Sequence, residues 1–291
     1  MTGASRGYLT MAARQPRFLE MAVDMALSLR DHTELPIALA ADEPLAALAQ
    51  TRYAGVFDVV TLVPQRFREG RALKYGSAEA SPFQETVFVD ADCIVLGPMD
   101  GLFDVLATAD MAMTGEHLTL ADDRVHHGFS TRSLIRRFAL ETYLKTNSGL
   151  FCFRRSAALE IMEDCRACYV DEIVKQLRWW TLLGRWLGDE LAFGIVGGRR
   201  QLGTIPMRYH MYWPDEFPSL DLDRPTKPLL HMIWPPEPDT TEALLRRIAA
   251  RRKKARVPDA DRGAHWRDEF RKLARLSKRR RVFGQVGWYS R

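Results

Sequence analysis

Asp90 and Asp92 close an apolar run, Thr86 to Val89, and the chemistry open to such a pair is cation binding. Residues two apart on an extended chain project to the same side. Two hard oxygen donors at a strand end suit Mg2+ or Mn2+, which keep coordination positions open for phosphate oxygens. A divalent ion held there neutralises a departing diphosphate. An isolated Asp-x-Asp is also what a turn with one helix-capping aspartate looks like. The apolar strand in front of this one favours the ligand reading.

The elements that must position the pair are legible in the pattern around it. Tyr8 to Ala12, Pro36 to Ala41, Phe57 to Val63 and Thr86 to Val89 read as buried strands. Between the first two, Phe18, Met21, Ala22, Met25, Ala26 and Leu29 fall on one face of a helix. Such alternation predicts an α/β domain with a mostly parallel central sheet flanked by helices. Ligands of such sheets sit outside the carboxyl ends of the strands, where Asp90 and Asp92 lie. The polar stretch Glu116 to Lys145 has no clear period and is expected to be an active-site flap or a disordered insertion. Asn147 to Arg154 resumes as a strand, with Ser156 as the expected N-cap of the next helix. Leu202 to Ile205 and Leu229 to Ile233 read as later strands.

In order along the chain stand Leu73-Lys74-Tyr75, Thr86 to Asp92, Leu102-Phe103, Asn147-Ser148-Gly149-Leu150-Phe151, Gly188-Asp189-Glu190, and His231 at the end of an apolar run. With these elements, from Tyr8 to Trp234, the chain resembles the glycogenin-like, retaining GT-A glycosyltransferases. The resemblance implies a GT-A fold, placed over residues 1–240, and the remaining 241–291 read as a basic helical extension. It implies transfer of a sugar from a nucleotide donor, UDP-sugar foremost, to a glycan or lipid-linked saccharide. Asp92, His231 and Asp90 are then the metal ligands, and imidazole beside carboxylates favours Mn2+ over Mg2+. Lys74 would contact the diphosphate or sugar, and Asn147 and Ser148 would hydrogen-bond the sugar. Gly149 would permit close approach of the backbone, and Asp189 would accept a sugar hydroxyl. Ala91 and the turn from Ala12 through Gln15 to Phe18 complete the donor site.

Three positions depart from that family. Gln15 and Phe18 stand where Asn or Asp and Tyr are usual, which alters the hydrogen bonds to the base while keeping a ring to stack on. His231 is followed by Met232-Ile233-Trp234-Pro235-Pro236, without the family's lysine, so Arg14, Lys74 or Lys227 would have to share the diphosphate charge. Glu190 replaces a glutamine beside the reacting carbon, where a carboxylate could be a nucleophile or stabilise positive charge. It could equally be a glutamate favoured at a helix start.

The charge is divided along the chain. Arg246 to Arg291 holds 17 basic against 4 acidic residues, within a chain of 42 Lys/Arg and 37 Asp/Glu. Asp261 to Val282 can form a helix with Trp266, Phe270 and Leu273 on one face, and Phe283, Trp288 and Tyr289 follow it. Basic residues with interleaved aromatics suit an anionic membrane surface, the expected partner of this segment; a nucleic acid is the alternative. A nucleic-acid-binding protein leaves the acidic pair and His231 unexplained. A nucleotidyltransferase on a similar sheet usually needs a glycine-rich loop after the first strand, and Met11 to Phe18 contains no glycine. No run of eighteen apolar residues occurs and the N-terminus lacks a signal-peptide pattern, so a cytoplasmic enzyme, peripheral on the membrane, is the expectation. Four scattered cysteines do not make a disulfide framework, and Cys165 and Cys168 read as ordinary helix-face residues. Trp179-Trp180 and Tyr209 to Trp213 are candidates for stacking on an acceptor sugar or for the core.

Overall fold

The computed structural model describes residues 5–68, 73–183, 187–233, 236–258 and 263–271. Trp234, Pro235 and the chain from Lys272 onward, with Leu273 and the terminal aromatics, lie outside the described residues. The strands are β1 (Arg6–Ala12), β2 (Ile37–Ala41), β3 (Val59–Leu62), β4 (Glu85–Val89), β5 (Cys93–Val95), β6 (Met111–Leu118), β7 (Val125–His126), β8 (Phe129–Ser130), β9 (Tyr143–Arg154), β10 (Gly203–Thr204) and β11 (Leu229–His231). The α-helices are α1 (Pro16–Arg30), α2 (Glu43–Arg52), α3 (Ser77–Ala80), α4 (Thr131–Arg137), α5 (Arg155–Ala167), α6 (Val174–Leu177), α7 (Asp189–Arg200) and α8 (Pro238–Lys254).

Seven strands form one sheet in the order β10-β6-β9-β4-β1-β2-β3. All neighbouring pairs are parallel except those of β9, which runs antiparallel to both β4 and β6. β2 is buried at every residue and β1 at all but Arg6, as expected for strands covered by helices on both faces. Two apolar clusters result. One lies around α1, Val87 and Leu102, the other around Phe88, Phe151, Phe153 and α7. The parallel strands β1 to β4 therefore end on one edge of the sheet, and the functional side chains gather there.

Two expectations are corrected. Residues 116–145 are no disordered insertion: they hold the end of β6, the β7–β8 hairpin, α4 and the start of β9, and the hairpin brings His126 and His127 to Glu190. Strands of two residues leave no period to read. Helix α5 begins at Arg155 with Arg154 in the cap position, so Ser156 lies inside it. Cys165 and Cys168 are buried free thiols; burial pushes the Cys168 thiol up to about 12 and raises Cys165 well above its ordinary value.

The basic extension packs on the sheet domain. Residues 264–271 are helical, and Trp266 (0 % exposed) and Phe270 belong to the core cluster around α1. Asp24 of α1 accepts hydrogen bonds from Arg252 Nε at 2.5 Å, from the His265 ring at 2.8 Å and from Trp266 Nε1 at 2.8 Å. Glu20 accepts from Arg252 Nη1 at 2.8 Å and from the Tyr53 hydroxyl. Of the face expected to meet lipid, Trp266 and Phe270 are thus core and cannot insert into a bilayer without unfolding this contact. No helix among the described residues is long and apolar enough to cross a membrane.

Candidate active site

Strand β9 makes the site by leaving its ladder. Its register against β6 shifts between Met113, opposite Phe151, and Thr114, opposite Asn147. Ser148, Gly149 and Leu150 are thus extra residues on the β9 side. A bulge of this kind re-aims side chains, and here it turns Ser148 toward the end of β4. The Asp90 N–H donates to the Gly149 carbonyl at 2.9 Å, which locks the two strands together at that point.

His231 arrives from far along the chain. Strand β11 pairs antiparallel with β5, with His231 opposite Cys93, and the Met232 N–H donates to the Asp92 carbonyl at 2.9 Å. The imidazole Nε2 stands 3.1 Å from Asp92 Oδ1 and 3.9 Å from Asp90 Oδ2. Its Nδ1 lies 3.3 Å from the Met211 sulfur, so Nε2 is the nitrogen turned to the carboxylates. Burial opposes a charge on His231, but Asp92 and Asp90 outweigh it and raise the imidazole above its ordinary value. Two carboxylates and one imidazole converging this way fit a divalent ion of the Mn2+ class. Cys93 offers a third donor beside Asp92 and His231, with the three ligand atoms within 4.8 Å of one another; burial raises its metal-free thiol well above the usual range.

Lys74 completes the charge balance. Its Nζ donates to Asp90 Oδ2 at 2.5 Å and to Ser148 Oγ at 2.9 Å, and stands 3.8 Å from Asp189 Oδ2. Burial would lower the ammonium, but Asp90 and Asp189 hold it far above its ordinary value, so it stays charged. Ser148 Oγ in turn donates to Asp189 Oδ2 at 2.8 Å, and Asn147 Oδ1 accepts from the Gly149 N–H at 2.8 Å. The structure thus brings Lys74, Asp90, Asp92, Ser148, Asp189 and His231 into one cluster. Gly149 permits a close approach, and what approaches is the His231 ring: an ideal Cβ would stand 2.5 Å from its Cε1.

The base-binding residues are placed more loosely. Ala12 ends β1 on the same edge of the sheet, Gln15 is exposed, and Phe18 is half-buried with the Arg17 guanidinium 4.9 Å from its ring centre. Ala91 is buried and its N–H donates to Asp90 Oδ1 at 3.2 Å. Of the basic groups expected to replace the missing lysine, Lys227 is bound to Glu216 at 2.6 Å and Arg14 donates to the Arg68 carbonyl. Lys74 contacts the acidic cluster directly.

Glu190 stands at the start of α7 and its surroundings were not legible in the sequence. Its Oε1 accepts from the Ser148 N–H at 3.1 Å, and its Oε2 lies 2.6 Å from His127 Nε2 and 3.5 Å from His126 Nε2. Burial would raise this carboxyl, but hydrogen bonds from His126 and His127 hold it well below the ordinary range. The only sequence signal was His126-His127-Gly128 inside an otherwise featureless stretch. There a tight turn with positive φ at His127 (50°) and Gly128 (82°) delivers both rings to one place. Beside them a cavity of about 660 Å3 opens, lined by His126, Lys145, Asn147, Met207, Trp213 and Lys227 among others. Trp213 of the aromatic segment borders it, whereas Trp180 packs on Phe129 and Trp179 is 65 % exposed.

No protein-family model matches the sequence, and no curated protein matches it either. Solved structures do match. The apo bifunctional glycosyltransferase WbbM aligns at a TM-score of 0.55 and 12 % identity, over 86 % of this chain and 50 % of its own. The galactosyltransferase LgtC, solved with donor and acceptor sugar analogs, gives 0.54 and 12 %, over 90 % of this chain and 99 % of its own. The apo glycosyltransferase GlyE of Streptococcus pneumoniae TIGR4 gives 0.55 and 14 %, over 92 % of this chain and 64 % of its own. The chain shares the fold of these enzymes, and the GT-A architecture expected from the sequence is the one found.

Proposed function

We propose that this chain is a divalent-metal-dependent glycosyltransferase. It moves a sugar from a nucleotide-diphosphate donor, UDP-sugar foremost, to a hydroxyl of a glycan or lipid-linked saccharide. The observation that carries the reading is the convergence of Asp90, Asp92 and His231 at the carboxyl edge of a sheet shared with solved glycosyltransferases. Retention of configuration rests on the family resemblance.

When bound by Asp90, Asp92 and His231, Mn2+ would supply the positive charge that offsets a departing diphosphate. The chain's own groups orient the sugar around that point. Lys74 is a buried cation that can move from Asp90 to a phosphate or sugar oxygen, and Ser148 and Asp189 offer a donor and an acceptor to sugar hydroxyls. Glu190 is a carboxylate whose two oxygens both accept hydrogen bonds, which makes it a weak nucleophile. Its role in this reading is to stabilise positive charge developing on the sugar ring. The cavity beside Asn147 and His126 is the place for the acceptor, with Trp213 at its rim.

The test is a screen of nucleotide sugars with Mn2+, read by mass spectrometry, together with calorimetry of UDP. UDP is expected to bind far more tightly with Mn2+ than with chelator present; equal affinities would sink the metal-bridged site. NMR of the product from a defined donor reads the anomer, and an inverted product rules out retention.

A further inference from the structure

Among the described residues, a second group of imidazole and carboxylate donors lies outside Asp90, Asp92 and His231. It consists of His126, His127 and Glu190, all buried, with ligand atoms within 4.8 Å of one another. Ser148 separates the two groups: its hydroxyl faces Lys74 and Asp189, and its N–H faces Glu190. We propose that His126, His127 and Glu190 form a second cation site, selective for a borderline transition ion of the Zn2+ class, and that filling it inhibits the neighbouring centre. The inhibition rests on the transferase reading above; the site itself does not.

Geometry supports the donor set. Zn2+ takes imidazole nitrogen and carboxylate oxygen at about 2.0–2.2 Å in tetrahedral array, which spaces neighbouring donors by about 3.4 Å. The distances from Glu190 Oε2 to His127 Nε2 and His126 Nε2, 2.6 and 3.5 Å, bracket that value. They resemble the 3.1 and 3.9 Å separating His231 from Asp92 and Asp90. His126 also carries the orienting contact typical of a ligating imidazole: its Nδ1 lies 2.6 Å from the Tyr143 hydroxyl, leaving Nε2 for the ion. The ion would take the place of the hydrogen that His127 Nε2 now directs at Glu190. Two nitrogens and one oxygen suit Zn2+ better than Mg2+ or Mn2+, so the two centres would differ in preference. A dication on Glu190 would cancel the negative charge that faces the reacting sugar.

The experiment is equilibrium dialysis of the full chain against micromolar Zn2+, with bound metal counted by mass spectrometry. Asp92→Asn disables the first centre and is expected to retain one zinc per chain; Asp92→Asn combined with His127→Gln, or with His126→Gln, is expected to retain none. Circular dichroism confirms that each variant is folded, and the two histidine variants guard against a misfolded one. Zinc-free Asp92→Asn, or equal zinc in the single and double variants, overturns the site. In the wild type with Mn2+ saturating, Zn2+ is expected to slow transfer at least tenfold, and an unchanged rate with zinc bound overturns the inhibition. Metal content is read without any sugar donor, so a failure of the site and a failure of the proposed activity are told apart.

Discussion

The His231 ring fills the space where a β-carbon of residue 149 would be: an ideal Cβ on Gly149 lies 2.5 Å from Cε1 and 2.7 Å from Nδ1. The glycine of the Asn147-Ser148-Gly149 run is therefore a seat for an imidazole carried in from β11. Gly149→Ala must push that ring away from Asp92. Mn2+ affinity is expected to fall at least tenfold, with circular dichroism unchanged; a titration within twofold of wild type would show that the ring has room to spare.

Asp92→Asn removes the carboxylate closest to His231. UDP binding is expected to lose its dependence on Mn2+, and turnover to fall by about a hundredfold, roughly 2.7 kcal/mol in barrier. A variant within threefold of wild type would take Asp92 out of the centre.

Glu190→Gln keeps the shape and the bond from Ser148 while removing the charge. If Glu190 stabilises charge electrostatically, kcat is expected to drop about ten- to a hundredfold, or ~1.4–2.7 kcal/mol, with no glycosyl adduct on the wild-type protein by mass spectrometry. A trapped adduct on Glu190 would make it the nucleophile.

Burial lowers His126 from 6.5 to about 4, chiefly through loss of solvent and with His127 adding to it. The folded chain therefore binds this proton less readily than the unfolded one. The stability it contributes is complete above pH 6.5 and is lost as pH falls toward 4, by about 3 kcal/mol in all. The metal-free protein is expected to show this as an acid limb in its melting temperature. His126→Asn is expected to flatten the limb, and an unaltered slope would assign it to other groups.

Trp266→Ala opens a cavity in the core around α1 and removes an N–H donor from the buried Asp24 carboxylate. A loss of about 3–5 kcal/mol is expected, read by urea denaturation. Vesicle co-sedimentation of the folded variant is expected to match wild type, because this ring is not available to lipid. Weaker pelleting of folded Trp266→Ala would return it to a membrane role.

The strands and the acidic pair were legible because parallel strands covered on both faces are continuous apolar runs, and β4 ends such a run directly in Asp90. His126 and His127 were not, because strands of two residues have no period and the partner of both rings, Glu190, lies 63 residues further along. The helix carrying Trp266 and Phe270 was legible as an amphipathic face, but such a face does not say what covers it. Its cover is α1, whose Glu20 and Asp24 form an acidic line opposite the α1 residues read as core.

The clasp around Asp24 also sets an order of events during synthesis. Helix α1 leaves the ribosome well before the groups that bind its buried Asp24, which come 228 and 242 residues later, in Arg252 and Trp266. At about 5–20 residues per second that delay is roughly 10–50 s. Throughout it the flank of α1 that carries Glu20 and Asp24 lacks the Arg252 and Trp266 groups that bind these acids in the folded chain. The clasp closes from α8 and Trp266 back onto α1, after every strand of the sheet between them has been made.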